Sequence, residues 1–368
     1  MTEQAWAPTP IYFTKWLRGF PDMPKFGSAA DPENMCTFRI LGDRYSGKSA
    51  LLEAIESQYF ANGSTIYDVF GANDNEMLAW LDSPFRDRVV LIHGDDMQVK
   101  SNFETITMGK LNPRNVPDQK IFLTSRVFFR KRADDFHFYS ALYSLTKKFR
   151  DRDSFNRVDV IGIREADEFM SSAKAAGQGK VKAQNDAEIE FAKFHNQMVH
   201  YGYALVIDQH RDVDVVKKVR YLSTYLFFKN MGDIDMPRPW WPLRYLDPDR
   251  LLRRLSKRQF AVKTTRQCIG VGVNDCPPWH IKRGSGLFEK FGIEVIDTFT
   301  GETVATGEAP PQEHGKGIAI DEMTKLKIID MASKGRKQTE IAKELGISQP
   351  MISKFLAKRR EEGEKAAP

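Results

Sequence analysis

The residues with the clearest chemical purpose are Gly42-Asp43-Arg44-Tyr45-Ser46-Gly47-Lys48-Ser49. They fit G-x-x-x-x-G-K-[ST], the phosphate-binding P-loop. Glycines at 42 and 47 let the backbone curl until successive N–H groups converge on a phosphate, a path that bulkier residues resist. Lys48 adds a point charge for the β- and γ-phosphates, and Ser49 offers a hydroxyl to Mg2+, so ATP and Mg2+ are the expected ligands. A helix that starts here turns the positive end of its dipole towards the anion.

Hydrolysis needs a second constituent, an apolar strand that delivers carboxylates beside the phosphates. The β-branched run Arg157 to Ile163 ends in Arg164-Glu165-Ala166-Asp167-Glu168 and is the best source of them. Gly94-Asp95-Asp96, after the strand Arg88 to Gly94, competes but lacks a glutamate. Acids also gather at helix N-termini because they suit the dipole there, which leaves a purely structural reading of 165–168 open.

These groups must be held by elements, and the periodicity supplies them. Cys36 to Leu41 is an apolar run before the loop, and Ala50-Leu51-Leu52-Glu53-Ala54-Ile55 continues it with helical spacing. Strands are expected at 64–70, 88–94, 120–124, 157–163, 203–209 and 223–228. Helices are expected at about 134–149, with Phe138, Ala141, Leu142, Leu145 and Phe149 on one face, at 186–200 and at 213–221. Residues 75–81 read as a helical turn or two, and 171–184, rich in Ala, Gly, Lys and Gln, as a loop. Strands alternating with helices predict an α/β fold with a mostly parallel sheet and flanking helices.

At 368 residues and 41% apolar composition the chain can bury a real core, which excludes a disordered protein. No apolar run approaches bilayer-spanning length and Met1 to Trp6 has no leader character, so the expectation is a protein without a membrane anchor, in the cytoplasm. Cys36, Cys268 and Cys276 cannot build a disulfide framework. Cys268, Cys276 and His280 fit no standard zinc spacing. A net charge of +6 leans towards a polyanionic partner without deciding it.

The order of parts, namely P-loop, acid-ended strand, a helix followed by Tyr-Gly at 201–202 and a strand closing on Gln209, resembles the FtsK/HerA superfamily of P-loop ATPases over about Cys36 to Asn230. That superfamily includes chromosome-segregation translocases, conjugation ATPases and viral genome-packaging motors. The resemblance implies a P-loop NTPase fold of the RecA/ASCE type. It implies that Lys48 and Ser49 bind phosphate and Mg2+, that Glu165 activates water, and that Gln209 senses the γ-phosphate. Arg164 stands where the family has its Mg2+-holding aspartate, and Asp208 where a small hydroxyl residue usually precedes the glutamine. Either Asp167 and Glu168 are the acidic pair in a shifted register, or Ser49 and water hold the metal with little help. Glu165 is favoured because it sits right at the strand end. Family members act as hexameric rings, so a homo-oligomer with an arginine supplied in trans is implied, the candidates being Arg126, Arg164, Arg211 and Arg220.

Beyond the core, Arg250, Arg253, Arg254, Lys257 and Arg258 form a basic stretch on an expected helix, which suits either DNA phosphates or solvent. Residues 301–317 are rich in Gly, Pro, Thr and Glu, a linker composition. After it come helical patterns at 324–333 and 339–345, a turn at Gly346, and a helix capped by Ser348 with Pro350 in its first turn. Helix, glycine-containing turn and capped helix describe a helix-turn-helix. Ile341, Leu345, Ile347, Ile352 and Leu356 would close its core, while Gln349, Met351, Ser353, Lys354 and Lys358 would face DNA.

The expected organisation is an N-terminal arm over 1–35, an ATPase domain with its C-terminal extension over 36–300 (core 36–230), a linker over 301–320 and a small all-α helix-turn-helix domain over 321–360. The function expected of such a chain is ATP-driven translocation of double-stranded DNA, most simply genome packaging for a virus or mobile element. A packaging role would add a capsid or portal protein as partner and place the protein in a host's cytoplasm. The alternatives are a nucleotide-gated DNA-binding regulator and an ATPase serving conjugation, segregation or protein assembly.

Overall fold

The computed structural model describes residues 7–19, 24–70, 76–131, 136–152, 154–166, 182–210, 223–232, 248–266, 268–280 and 286–305, and beyond them residues 328, 331, 332, 336, 338, 341, 352 and 353. The chain divides into two compact units, Met1–Ala309 and Pro310–Pro368.

The first unit is built on the apolar runs. Strands β2 (Thr37–Leu41), β3 (Ile66–Phe70), β4 (Val89–His93), β7 (Ile121–Leu123), β8 (Asp159–Ile163) and β9 (Tyr203–Gln209) are buried at every position. Strands buried on both faces carry no polar alternation, and this is the pattern of a parallel sheet covered on both sides. With β10 (Tyr225–Phe228) and β6 (Glu104–Thr107) they form the parallel order β10-β2-β9-β8-β3-β7-β4-β6.

Helix α1 (Lys48–Ala61) follows β2 across the loop 42–47 and lies on β8 and β9. Helices α2 (Phe136–Arg150) and α3 (Lys182–His195) pack together, α2 burying Phe138, Leu142, Leu145 and Phe149, with Ala141 half-buried. α3 begins earlier than its periodicity predicts, and a 3-10 turn, Met198–Tyr201, completes the expected helix. Residues 76–82 form a 3-10 helix, whereas 211–222 lie outside the described residues.

On the β10 side the sheet turns antiparallel through β11 (Gln259–Thr264) and β12 (Ile269–Asn274), and β1 (Ile11–Arg18) is its edge strand. The N-terminal arm expected over 1–35 thus contributes a strand to the sheet. β5 (Met97–Lys100), β13 (Glu294–Asp297) and β14 (Thr303–Ala305) make a separate three-stranded sheet. α4 (Pro248–Arg254) covers β10 and β11 with Leu252, and α5 (Leu287–Lys290) buries Leu287 and Phe288. The basic stretch is therefore split: Arg253 and Arg254 close α4, and Lys257 and Arg258 lie exposed in the turn after it. Trp279 packs against Trp80 with ring centres 5.5 Å apart and the rings tilted by 38°, and joins this extension to the core.

In the second unit Ile328, Met331, Ile341 and Ile352 are buried and Ser353 is exposed. Among the described residues no helix is long and apolar enough to cross a membrane.

Candidate active site at the P-loop

The P-loop lies where β2 gives way to α1, at the carboxyl edge of the parallel strands. Tyr45 (φ +60°) and Gly47 (φ +90°) both take the left-handed conformation that folds a chain back on itself. The Lys48 ammonium donates to the Asp43 carbonyl at 3.1 Å, and the Ser46 N–H donates to the same oxygen at 3.3 Å. Asp43 Oδ1 accepts from the Arg44 N–H at 2.7 Å, and the Asp43 N–H donates to the Asn230 carbonyl at 2.8 Å. A Cβ on Gly42 would meet Ser46 Oγ at 2.5 Å and Lys229 Cβ at 2.8 Å; one on Gly47 would meet the Lys257 carbonyl oxygen at 2.5 Å. Close approach requires a glycine at both positions, and at Gly47 the backbone angle requires it as well.

The carboxylates arrive on β8 and β9. β9 lies between β2 and β8, so its last residues fall between the P-loop and Glu165. Asp208 is fully buried there; its Oδ2 accepts from the Ser49 hydroxyl at 3.3 Å and its Oδ1 accepts from the Glu165 N–H at 2.5 Å. Burial raises the Asp208 pKa, against the Lys48 charge and the Glu165 N–H. Glu165 itself has φ +46°, a conformation that costs a non-glycine residue about 1–2 kcal/mol and is held by that hydrogen bond. His210, the residue after β9, places Nδ1 3.1 Å from Lys48 Nζ and Nε2 3.7 Å from Glu165 Oε1. Gln209 is fully buried, paired in register with Leu41.

Arg164 has a different environment from the one its position suggests. It is 2% exposed, its Nε donates to both oxygens of Asp68 on β3 (3.1 and 3.0 Å), its Nη2 to Asp68 Oδ2 at 2.6 Å and its Nη1 to Glu53 of α1 at 3.0 Å. His280 holds the other Glu53 oxygen at 2.9 Å, and Glu76 approaches Arg164 to 3.9 Å. Glu56 completes a largely buried group in which four carboxyls, Glu76 the most exposed of them, face one guanidinium and one imidazole. The excess shows in the acids: burial pushes Glu76 up to about 7, and burial with the Asp68 charge raises Glu56 well above its ordinary range. Arg164 pins α1 to β3 and β8 beneath the site. It is not available as an arginine finger for a neighbour.

Of the other expected residues, Arg126 lies after β7 with its guanidinium 5.4 Å from the Phe138 ring centre. Asp167, Glu168, Arg211, Arg220, Gln349, Met351, Lys354 and Lys358 lie outside the described residues. Asp95 and Asp96 sit at the end of β4, three strands from β8, where Asp95 accepts the Gly109 N–H and Asp96 pairs with His137. Cys268 packs against Gly19 and His280 is engaged by Glu53.

Sequence reasoning missed three relations: Asp208 on Ser49, His210 between Lys48 and Glu165, and the carboxyl group around Arg164. Asp208 and Arg164 each carried a signal, as departures from the family's pattern, and His210 carried none. Among the described residues no group of three or more His, Cys, Asp or Glu side chains is arranged to hold a metal. Mg2+ bound with nucleotide takes most of its ligands from phosphate and water and needs one or two protein oxygens. The Ser49 hydroxyl beside the Asp208 carboxylate fits that demand.

A family model described as a helix-turn-helix domain matches residues 324–366. A search of the curated proteins found no match. Among solved structures, the genome packaging NTPase B204 from Sulfolobus turreted icosahedral virus 2 in complex with ATP-gammaS is 14% identical at a TM-score of 0.34, covering 67% of this chain and 99% of that one. EccC (ATPases 2 and 3) from Thermomonospora curvata, in complex with a signal sequence peptide, is 10% identical at a TM-score of 0.34, covering 66% of this chain and 37% of that one. The cytoplasmic domain of the type VII secretion ATPase EccC from the same organism is 9% identical at a TM-score of 0.36, covering 66% of this chain and 24% of that one. The chain combines the mostly parallel sheet and flanking helices of a P-loop NTPase with a C-terminal helix-turn-helix domain.

Proposed function

We propose that this protein hydrolyses ATP and uses the energy to move along double-stranded DNA, in the manner of a genome-packaging motor. The observation that carries the reading is the seating of a glutamate against a complete P-loop: Asp208 bonds both the Ser49 hydroxyl and the Glu165 N–H, so the phosphate-binding and water-activating groups share one support. In this reading the P-loop amides and Lys48 hold the β- and γ-phosphates and lower the barrier by stabilising the charge that spreads over them. Glu165 orients and polarises the attacking water. Mg2+, when bound, neutralises phosphate charge, and Ser49 is a ligand for it. Gln209, next to the P-loop strand, couples the state of the γ-phosphate to movement. The helix-turn-helix domain docks the motor on DNA, and a homo-oligomeric ring encloses the track.

A second reading, a nucleotide-gated DNA-binding regulator, is favoured by one feature: the position of the usual metal carboxylate is taken by Arg164, which is bound up in ion pairs. The two readings separate in steady-state ATP hydrolysis measured with and without long double-stranded DNA, beside Lys48→Ala and Glu165→Gln. A motor is strongly stimulated by DNA and loses turnover in both variants. DNA binding with flat turnover sinks the motor reading and leaves the regulator.

A further inference from the structure

The position just after β8 that the resemblance gives to a metal-holding aspartate is filled by a side chain that turns into the protein interior. Arg164 directs its nitrogens to Asp68 and Glu53 inside the protein and has no carboxylate to offer. The carboxylate that does reach the P-loop hydroxyl comes from the next strand. In the sheet Ile40 of β2 pairs with Asp208, so Asp208 stands one strand nearer the loop than Arg164 does, a difference of about 4.8 Å, the ordinary strand spacing. Its Oδ2 is already engaged by Ser49 Oγ, the oxygen that P-loop chemistry turns to the metal.

We propose that Asp208 is the carboxylate of the metal site, transferred from β8 to β9, and that it holds Mg2+ next to Ser49 when nucleotide is bound. The assignment rests on the nucleotide-binding reading above. It makes Asp208 a joint between two functions. One oxygen serves the metal side, and the other holds the backbone of Glu165 in its left-handed turn. A fixed outer partner of this kind sets ligand geometry as well as charge. Glu76, which also hydrogen-bonds Ser49, is the competing carboxyl; it sits at the head of the 76–82 helix, beside Arg164.

The test reads metal binding separately from turnover. A fluorescent ATP analogue is titrated into the full-length protein in Mg2+ and in EDTA, for wild type, Asp208→Asn, Asp208→Glu, Glu76→Gln, Ser49→Ala and the Ser49→Ala/Asp208→Asn pair. Asparagine keeps the acceptor for the Glu165 N–H, so the turn is preserved. Asp208→Asn is expected to lose about 10- to 100-fold of the Mg2+-dependent gain in affinity. In EDTA it binds as tightly as wild type or tighter, because a carboxylate facing bare phosphate repels it. Asp208→Glu retains part of the gain, and the double variant loses no more than the larger single loss, since both residues act on one ion. Equal gains in wild type and Asp208→Asn, equal losses in Asp208→Asn and Asp208→Glu, or a loss confined to Glu76→Gln each overturn the assignment while leaving nucleotide binding intact. A wild type that binds no nucleotide in either buffer removes both readings together.

Discussion

The Lys48 ammonium and the His210 imidazole lie in contact, Nζ to Nδ1 at 3.1 Å. An ammonium only donates, so Nδ1 accepts and the remaining proton of a neutral ring sits on Nε2, turned towards Glu165 at 3.7 Å. Of the three ammonium protons one goes to the Asp43 carbonyl and one to Nδ1, so a phosphate that takes more than the third competes with His210. His210 therefore stands in line between nucleotide occupancy and the glutamate proposed to act on water. His210→Ala is expected to tighten nucleotide binding by about 2- to 10-fold, the worth of one hydrogen bond removed as competitor. It is expected to lower kcat by a similar factor through a less constrained Glu165. Steady-state hydrolysis together with direct nucleotide titration checks both; an unchanged KM and kcat removes His210 from the site.

Replacing Arg164 by the family's aspartate is expected to damage the protein. Asp68 and Glu53 are both fully buried and paired with Arg164, so Arg164→Asp strands Asp68, leaves Glu53 with His280 alone and adds a further negative charge. Breaking a buried pair by removing one partner costs about 3–5 kcal/mol. Arg164→Met isolates that loss from the added charge. Urea denaturation is expected to show both variants with lowered midpoints, Arg164→Asp the lower. A folded Arg164→Asp with improved Mg2+ response contradicts the structural role given to Arg164.

The same group of acids makes stability depend on pH. Glu56 is fully buried, its oxygens carry no hydrogen bond of normal geometry, and its pKa is raised by burial and by Asp68. The folded state then keeps a proton that the unfolded chain releases above about pH 4.5, so stability attributable to this group is greatest below that pH and falls as pH rises towards the folded pKa. Glu56→Gln removes this group's contribution to the slope. Thermal unfolding is expected to give similar midpoints for both proteins near pH 4, with the variant higher at pH 8 by about 2 °C for each kcal/mol recovered.

Lys229 gives the opposite slope in another window. It is buried under the P-loop with Nζ 2.9 Å from Asn274 Oδ1, and burial brings its pKa down to about 7. Above that value the folded protein carries fewer protons here than the unfolded chain, whose lysines hold theirs to about pH 10.4, so stability rises with pH across the interval. Lys229→Met is expected to be more stable than wild type at pH 7, with the gap closing towards pH 10. Melting curves at three pH values suffice, and parallel curves refute the shift.

The two halves of the site differ in how far the sequence discloses them. Lys48, Ser49 and the sheet strands behind them are legible because a phosphate loop needs fixed spacing and a covered parallel strand is a continuous apolar run. Glu165 is legible as an acid at a strand end. The bond from Ser49 to Asp208 depends on strand register, Ile40 opposite Asp208, which no local pattern encodes. Arg164 reads as a missing metal ligand until Asp68 and Glu53 are seen to converge on it from β3 and α1. The antiparallel edge is hidden for a related reason. β12, Ile-Gly-Val-Gly-Val-Asn, places Gly270 against the Trp16 ring and Gly272 against Phe260, and the glycines that permit this close packing weaken its own strand signature.

In the second unit Ile352 is buried and the adjoining Ser353 exposed, as expected of a recognition helix with one face packed on its partner. Lys354 and Lys358 are one helical turn apart in sequence, so on such a helix they share a face and can reach phosphates of one DNA strand. The slope of log affinity against log salt falls by about 0.9 for every phosphate the protein no longer neutralises. Lys354→Ala/Lys358→Ala is expected to weaken DNA retention in gel-shift titrations uniformly across sequences and to reduce that slope by about 2. ATP turnover without DNA is expected to stay at the wild-type level, because both lysines belong to the compact unit that does not contain the P-loop. A salt slope unchanged in the double variant assigns DNA binding to another surface, with the exposed Arg253, Arg254, Lys257 and Arg258 near the P-loop the next to replace.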